Sequence, residues 1–297
     1  MMFVRAYCIL AAVVCSACSA LAEDIPLTRV LIKDEAWEKV VDGMKFCDAC
    51  CSDHLGNFYF ADLAGGNGVK KVTPSGKVSD FITGVPGISG MQFGPGGKLY
   101  ACQGPSRRIV ALTPGRQPEL IVADIRPNDL VVTDDGHLYF TETSTRRVYH
   151  LNLNNDGRRL SVVATDISKP NGIALSTGGG TLLISDHMDK EVWFFRIEKD
   201  GSLGCRAPYA SLRLRAKNHP SKGDGIDVDD LGCFYVTSDL GLQMFDPTGR
   251  MAGVILSPEP AKPLVSVVFS GKRLEYLYVA NGDAIYRRKV KSRGVLH

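Results

Sequence analysis

Apolar residues along this chain come in short runs rather than helical stripes. Phe58-Tyr-Phe-Ala61, Leu99-Tyr-Ala-Cys102, Leu138-Tyr-Phe-Thr141, Leu182-Leu-Ile-Ser185, Phe234-Tyr-Val-Thr237 and Leu277-Tyr-Val-Ala280 are rich in aromatic and branched side chains. Turn-forming residues separate these runs. Such composition predicts strands that fit a pleated, well-covered surface. No stretch sustains apolar residues at a helical period, so the fold class expected is all-β.

The runs also recur. Gly56, Gly97, Gly136, Gly180, Gly232 and, without the glycine, Glu275 open equivalent segments, at spacings of 41, 39, 44, 52 and 43 residues. That period is the one expected of four-stranded propeller blades. A third strand ending in turn residues follows most of them, as in Val69-Lys-Lys-Val72 before Thr-Pro-Ser-Gly, and a fourth follows that turn, as in Lys77-Val-Ser-Asp-Phe-Ile82. The sixth repeat runs out after Ile285-Tyr-Arg-Arg-Lys-Val290. Upstream of the first repeat, Trp37-Glu-Lys-Val-Val41 reads as the missing strand. A six-bladed β-propeller, its ring closed by an N-terminal strand, removes the open edge that a linear array would leave. No linker interrupts residues 23–297, which read as a single domain.

The first 22 residues have a different composition. Arg5, an apolar stretch over 7–14 and Ala20-Leu-Ala22 form a secretory signal with cleavage near Ala22, so a secreted or periplasmic protein is expected. The stretch is too short for a membrane span, which needs about 20 residues. A net charge of +3 gives no support to nucleic-acid binding. Of the nine cysteines, Cys47, Cys50, Cys51, Cys102, Cys205 and Cys233 remain beyond the signal. An oxidising space allows a disulfide near Cys47, and buried thiols serve equally well. Cys47 and Cys50 lack a second pair or a histidine pair to complete a zinc set.

A propeller's innermost strands line its axis, so repeat-equivalent positions at their starts converge. Here they are Asp48, Ser89, Asn128, Asn171, Asp224 and Ser266. Four carry oxygens suited to a hard cation, and none offers a thiolate or imidazole. Asp48, Asn128, Asn171 and Asp224 are therefore the candidate metal ligands. One divalent cation is expected, Ca²⁺ first, with Mn²⁺, Mg²⁺ or Zn²⁺ as substitutes in vitro. Asn-Gly and Asp-Gly also make ordinary turns, but four in register are not explained by turns alone. The second strands end on the same face, at Asp62, Gln103, Glu142 and Asp186-His187, which places these residues around the mouth. His187 is a candidate substrate contact. The basic insert at 211–222 runs directly into Asp224.

Ile125-Arg-Pro-Asn-Asp129, Lys169-Pro-Asn-Gly-Ile-Ala174 and Gly223-Asp-Gly-Ile-Asp227 resemble the motifs of the SMP-30/gluconolactonase/LRE-like family of six-bladed propellers, over roughly residues 40–290. The resemblance implies that Asn171 and Asp224 are metal ligands, that Asp224 is also the catalytic base, and that Arg126 and Asn128 bind substrate. The family places a Glu where this chain has Asp48, one methylene shorter. A metal can polarise an ester carbonyl while a carboxylate takes a proton from attacking water. No Gly-x-Ser-x-Gly elbow is present to supply a serine nucleophile. The expected activity is hydrolysis of a sugar lactone or related ester by a monomer acting on a small molecule. A non-catalytic propeller that binds a sugar, peptide or protein partner is the alternative.

Overall fold

In the computed structural model, which describes residues 25–155 and 159–297, the chain forms six four-stranded antiparallel sheets. After a four-residue helix, Leu27–Val30, comes β1 (Glu38–Val41). The first blade contains β2 (Cys47–Ser52), β3 (Phe58–Asp62), β4 (Gly68–Val72) and β5 (Val78–Thr83). The second contains β6 (Ile88–Phe93), β7 (Leu99–Gln103), β8 (Arg108–Leu112) and β9 (Glu119–Ala123). The third is β10 (Leu130–Val132), β11 (His137–Glu142), β12 (Arg147–Asn152) and β13 (Ser161–Ala164). The fourth is β14 (Pro170–Leu175), β15 (Thr181–Asp186), β16 (Glu191–Ile197) and β17 (Leu203–Ser211). The fifth is β18 (Ile226–Val228), β19 (Phe234–Ser238), β20 (Gly241–Phe245) and β21 (Met251–Ile255). The sixth is β22 (Leu264–Ser270), β23 (Tyr276–Asn281) and β24 (Ala284–Lys289), completed by β1.

The expected closure is therefore present. β1 pairs antiparallel with β24, with Glu38 opposite Arg287 and a bulge between Lys39 and Val41. Arg287 also forks onto the Glu38 carboxylate at 2.8 and 3.0 Å. The signal expected over residues 1–22 lies outside the described residues. Among those described, no helix is long and apolar enough to cross a membrane.

The core lies between blades rather than inside them. Six apolar clusters occupy the six blade interfaces: Tyr59 and Val69 pack with Leu99 and Val110, Tyr139 and Val148 with Leu182 and Ile184, Tyr235 and Leu242 with Leu277 and Val279. Alternate residues of one second strand face opposite neighbours. Tyr59 enters the interface with the second blade, while Phe58 and Phe60 join Tyr278 at the ring's closing interface. The Phe58 and Tyr278 rings stack at 4.4 Å. Both faces of these strands are covered, so an unbroken apolar run replaces polar alternation. The outer strand β5, by contrast, has mostly exposed side chains.

The six described cysteines are all free thiols, so the structure takes the thiol reading over the disulfide. Burial pushes the Cys47 and Cys233 thiols up to about 12, which makes them poor nucleophiles.

Candidate active site

The polar positions do not all begin strands. Asp48, Ser89 and Asn171 are each the second residue of an inner strand, and Ser266 is the third of β22. Asn128 and Asp224 stand two residues ahead of β10 and β18. Their N–H groups still bond the second strand, at Thr141 O (2.8 Å) and Thr237 O (3.2 Å). Where the pairing reaches this level it slips: between Asp48 and Cys51, Ile88 and Gly90, Pro170 and Ile173, and Leu264 and Ser266. Each slip is a bulge, and a bulge re-aims side chains and sharpens the local twist. That is how pleated strands turn polar groups to the axis. In β2 the irregularity includes Ala49 at φ 52, a left-handed conformation uncommon for a residue with a Cβ.

Hydroxyls from neighbouring blades pin this ring. Ser89 Oγ donates to Asn128 O (2.7 Å), Thr141 Oγ1 to Asn171 O (2.7 Å) and Ser185 Oγ to Asp224 O (2.9 Å). The backbones of Asn128, Asn171 and Asp224 are thus held from the preceding blade, while Ser266 Oγ accepts from Cys50 N, two residues beyond Asp48. For Thr141 and Ser185 the sequence signal is a Ser or Thr just before the last residue of the second strand, as in Phe-Thr-Glu142 and Ile-Ser-Asp186; in the second blade that position is Cys102, and Ser89 of β6 supplies the hydroxyl. It was not recognised as such from the sequence.

The second-strand ends form a different class of residue. They do not offer free groups to the mouth. Asp62 accepts from the N–H groups of Lys45, Phe46 and Gly65, Gln103 donates to Pro86 O, and Glu142 accepts from Tyr149 Oη. Asp186, 1% exposed, accepts from four N–H groups, those of Ser168, Lys169, Met188 and Asp189, at 2.9–3.1 Å. Each anchors the loop that leads into its own blade's inner strand. Their chemistry is spent on the fold rather than offered to the mouth.

An axial cavity of about 490 Å³ touches Asp48, Ser89, Asp129, Asp224 and Ser266, and Val295, Leu296 and His297 also line it. Asp129 lines this cavity with Asp48 and Asp224, while the Asn128 and Asn171 side chains are not part of its lining. The Asp129 oxygens accept from Leu130 N (2.9 Å) and Ile173 N (3.3 Å). Asp129 was missed as a site residue, because the repeat register singles out its neighbour. Burial pushes the Asp129 carboxyl up to about 7. Asp48 also rises to about 7, through burial and then the charge of Asp129, against the Ala49 N–H that its Oδ1 accepts at 2.8 Å. Asp224 rises well above the carboxylate range, first by burial, then by the charges of Asp48 and Asp129.

Asn171 is 5% exposed and sits between Asp224 and His187. Its Nδ2 is 3.2 Å from His187 Nδ1 and its amide also bonds the Asp224 carboxylate. Burial and the charges of Lys169 and Lys222 lower the His187 pKa, while a hydrogen bond to the Gly223 backbone opposes them. The ring is then neutral near pH 7, with Nδ1 accepting. With Nδ2 so engaged, Asn171 Oδ1 is buried without a hydrogen-bond partner among the described residues. A buried orphan oxygen beside mutually repelling carboxylates is the environment a cation relieves. The donors are all oxygens, which suits Ca²⁺ or Mg²⁺. Among the described residues no three His, Cys, Asp or Glu side chains cluster closely enough to hold an ion, so an ion here would need amide oxygens as well.

Arg126 is exposed on this face. Its N–H lies 3.3 Å from Glu142 Oε1, and among the described residues its guanidinium makes no ion pair. His187 and Asp224 also border a second, lateral cavity of about 320 Å³. In the basic insert, Arg215 and Lys222 both fall on Asp239, at 2.7 and 2.8 Å, so its charge is partly neutralised.

Known proteins resemble this chain in sequence and fold. The chain is 26% identical over 276 residues to a gluconolactonase of Zymomonas mobilis, covering 80% of this chain and 77% of that one. A solved gluconolactonase of Xanthomonas campestris superposes with a TM-score of 0.76 at 23% identity, covering 89% and 91% of the two chains. Regucalcin of Agrobacterium tumefaciens, described as a calcium-binding protein, superposes with a TM-score of 0.72 at 14% identity, covering 88% and 97%. At these identities the two structures share the fold. The profile of the SMP-30/Gluconolactonase/LRE-like region matches residues 48–282, most of the chain, and the protein belongs to that family.

Proposed function

We propose that the protein is a secreted, divalent-metal-dependent hydrolase that opens a sugar lactone or a related ester. The observation that carries this reading is the unpartnered Asn171 Oδ1 beside Asp224. Asp224, Asn171, Asp48 and Asn128 would hold the ion, with Ca²⁺ the best match to their chemistry. When bound, such an ion polarises the ester carbonyl and acidifies water. Asp48 is shorter than the family's Glu, and the bulge around Ala49 supports its reaching the axis. Asp224 accepts the proton as water attacks the lactone carbon and returns it to the ring oxygen as the acyl C–O bond breaks, which leaves the open hydroxy acid. Arg126 and Asn128 steady the substrate's oxygens. His187 orients the Asn171 amide, and its place on the lateral cavity also lets it meet substrate. The gluconolactonase relative supports the substrate class.

The test is turnover of D-glucono-1,5-lactone after chelation, with and without added Ca²⁺, Mn²⁺ or Zn²⁺. Activity should need the cation and disappear in Asp224→Ala and Asn171→Ala. Cation binding with no turnover across a panel of lactones and esters would instead identify a non-catalytic propeller.

A further inference from the structure

Two histidines lie at the end of the third blade remote from the candidate site. His137 opens β11, whose other end carries Thr141 and Glu142, and His150 stands on β12 opposite Tyr139. Both are buried, at 7% and 8% exposed. His137 Nδ1 is 2.7 Å from His150 Nε2, and the ring planes differ by 25°. The Tyr139 ring stacks on His150 with centroids 4.9 Å apart. The turn between β16 and β17, from the fourth blade, closes over the pair. Tyr139 Oη donates to Gly201 O in that turn at 2.8 Å. A Cβ at Gly201, where φ is 81, would fall 2.3 and 2.4 Å from the two bonded nitrogens. Only a glycine lets the turn come this close.

We propose that His137 and His150 form an acid-sensitive latch between the third and fourth blades. An N–H···N bond needs one bare nitrogen. Two neutral rings supply it, and so does a pair that carries one extra proton. A second extra proton sets two N–H groups against each other, and Gly201 leaves the rings no room to part unless the turn moves. The turn then comes away from the third blade. Among the described residues the charged groups facing the pair are Asp135 and Asp200. Asp135 Oδ2 is 3.9 Å from His137 Nε2, beyond hydrogen-bond reach, and its Oδ1 accepts from the Thr133 hydroxyl. Asp200 Oδ1 accepts from Ser202 N and Oγ at 3.0 and 2.6 Å. Both carboxylates are exposed, so neither offsets a doubly charged pair inside the interface. Burial holds the Tyr139 phenol well above its ordinary value, so it stays neutral. Burial first, and then the charge of His137, hold His150 below its ordinary 6.5, with Asp200 opposing them. The unfolded chain therefore takes up this proton before the folded one does. Stability is intact above about pH 6.5 and is lost as pH falls from there through the folded-state pKa.

His150→Gln keeps a hydrogen-bonding group near the Nε2 position and removes the titration. Between pH 7 and pH 5 the melting temperature of the parent should fall by roughly 3 °C more than that of the variant. The comparison cancels the axial carboxylates, which both proteins share. Hydrogen exchange in the parent gives a second readout that needs no variant. Over the same pH range, protection of the turn at 198–202, corrected for the intrinsic exchange rate, should drop about tenfold. The equivalent turn of the fifth blade, at 246–250, is tied by Tyr209 Oη to Asp246 O at 2.6 Å with no imidazole in the bond. Its protection should hold. Parallel melting profiles for parent and variant, or a loss of protection that is equal in the two turns or absent from both, would overturn the latch.

Discussion

Asp186 and Asp224 are both set into the same face of the ring, one blade apart, yet they do opposite things. Asp186 accepts four backbone N–H groups, which fix the loop ahead of β14 and the turn after β15. Asp224 has the Asn171 amide for a partner and two other carboxylates for neighbours. A buried carboxylate surrounded by N–H donors is already neutralised by dipoles, and it belongs to the fold. A buried carboxylate beside two others is opposed by their charges, which the Asn171 amide and the charge of Lys169 offset only in part. Asp186 is fully buried and Asp224 is half-buried where it lines the cavities, but it is their partners that set their charges apart.

The largest expected effect is on turnover. Asp224→Asn should lower kcat by roughly a thousandfold, as loss of a general base does. The same change should stabilise the cation-free protein. Because the folded-state pKa of Asp224 is raised, its penalty is absent at low pH, grows as pH climbs from about 4 and is complete above the folded pKa. Melting temperatures of the variant and the parent, both cation-free, should therefore coincide near pH 4 and diverge near pH 8, with Asn the more stable. Asp186→Ala should behave in the opposite way. Loss of a charged acceptor of several N–H groups should cost about 3 kcal/mol, and no cation should restore it. If Asp186→Ala proves neutral while Asp224→Asn destabilises, the contrast between the two carboxylates is wrong.

Smaller effects sharpen the contrast. His187→Phe removes the acceptor that turns Asn171 Nδ2 aside, and cation affinity should fall by about 10- to 100-fold, the usual worth of an orienting partner. A variant that changes lactone kinetics with cation affinity intact would make His187 a substrate contact alone. Cation affinity should also weaken as pH falls through about 7, because Asp48 and Asp129 take up protons there. Protonation of His187 acts in the same direction, since it removes the Nδ1 acceptor. The smallest change is Thr141→Val, which deletes the hydroxyl holding Asn171 O and should cost about 1 kcal/mol of stability.

Much of this was legible in the amino-acid sequence. The period of the second strands shows the blades, and the short sixth repeat with Trp37–Val41 shows the closure, because both follow from burial and from the need to cover an edge. The ring of Asp48, Asn171 and Asp224 follows from register. The rest depends on contacts that spacing does not encode. Bulges shift β2, β6, β14 and β22 off a simple alternation, and Asp129 reaches the axial cavity although Asn128 holds the repeat position. Asp62 and Asp186 share the chemistry of Asp48 and Asp224, and hydrogen bonds to nearby loops are what separate them. The lateral cavity joins His187, Lys222 and the 257–263 loop, segments of three different blades that no local pattern connects.

Calorimetric titration of Ca²⁺ into the chelated protein at pH 8, parent against Asp224→Asn and Asp186→Asn, bears most directly on the axial site. One ion should bind the parent and Asp186→Asn, provided the latter stays folded, and binding to Asp224→Asn should be weakened at least a hundredfold. Equal binding by the parent and Asp224→Asn, or no saturable binding by the parent, would contradict a cation site built on Asp224 and Asn171.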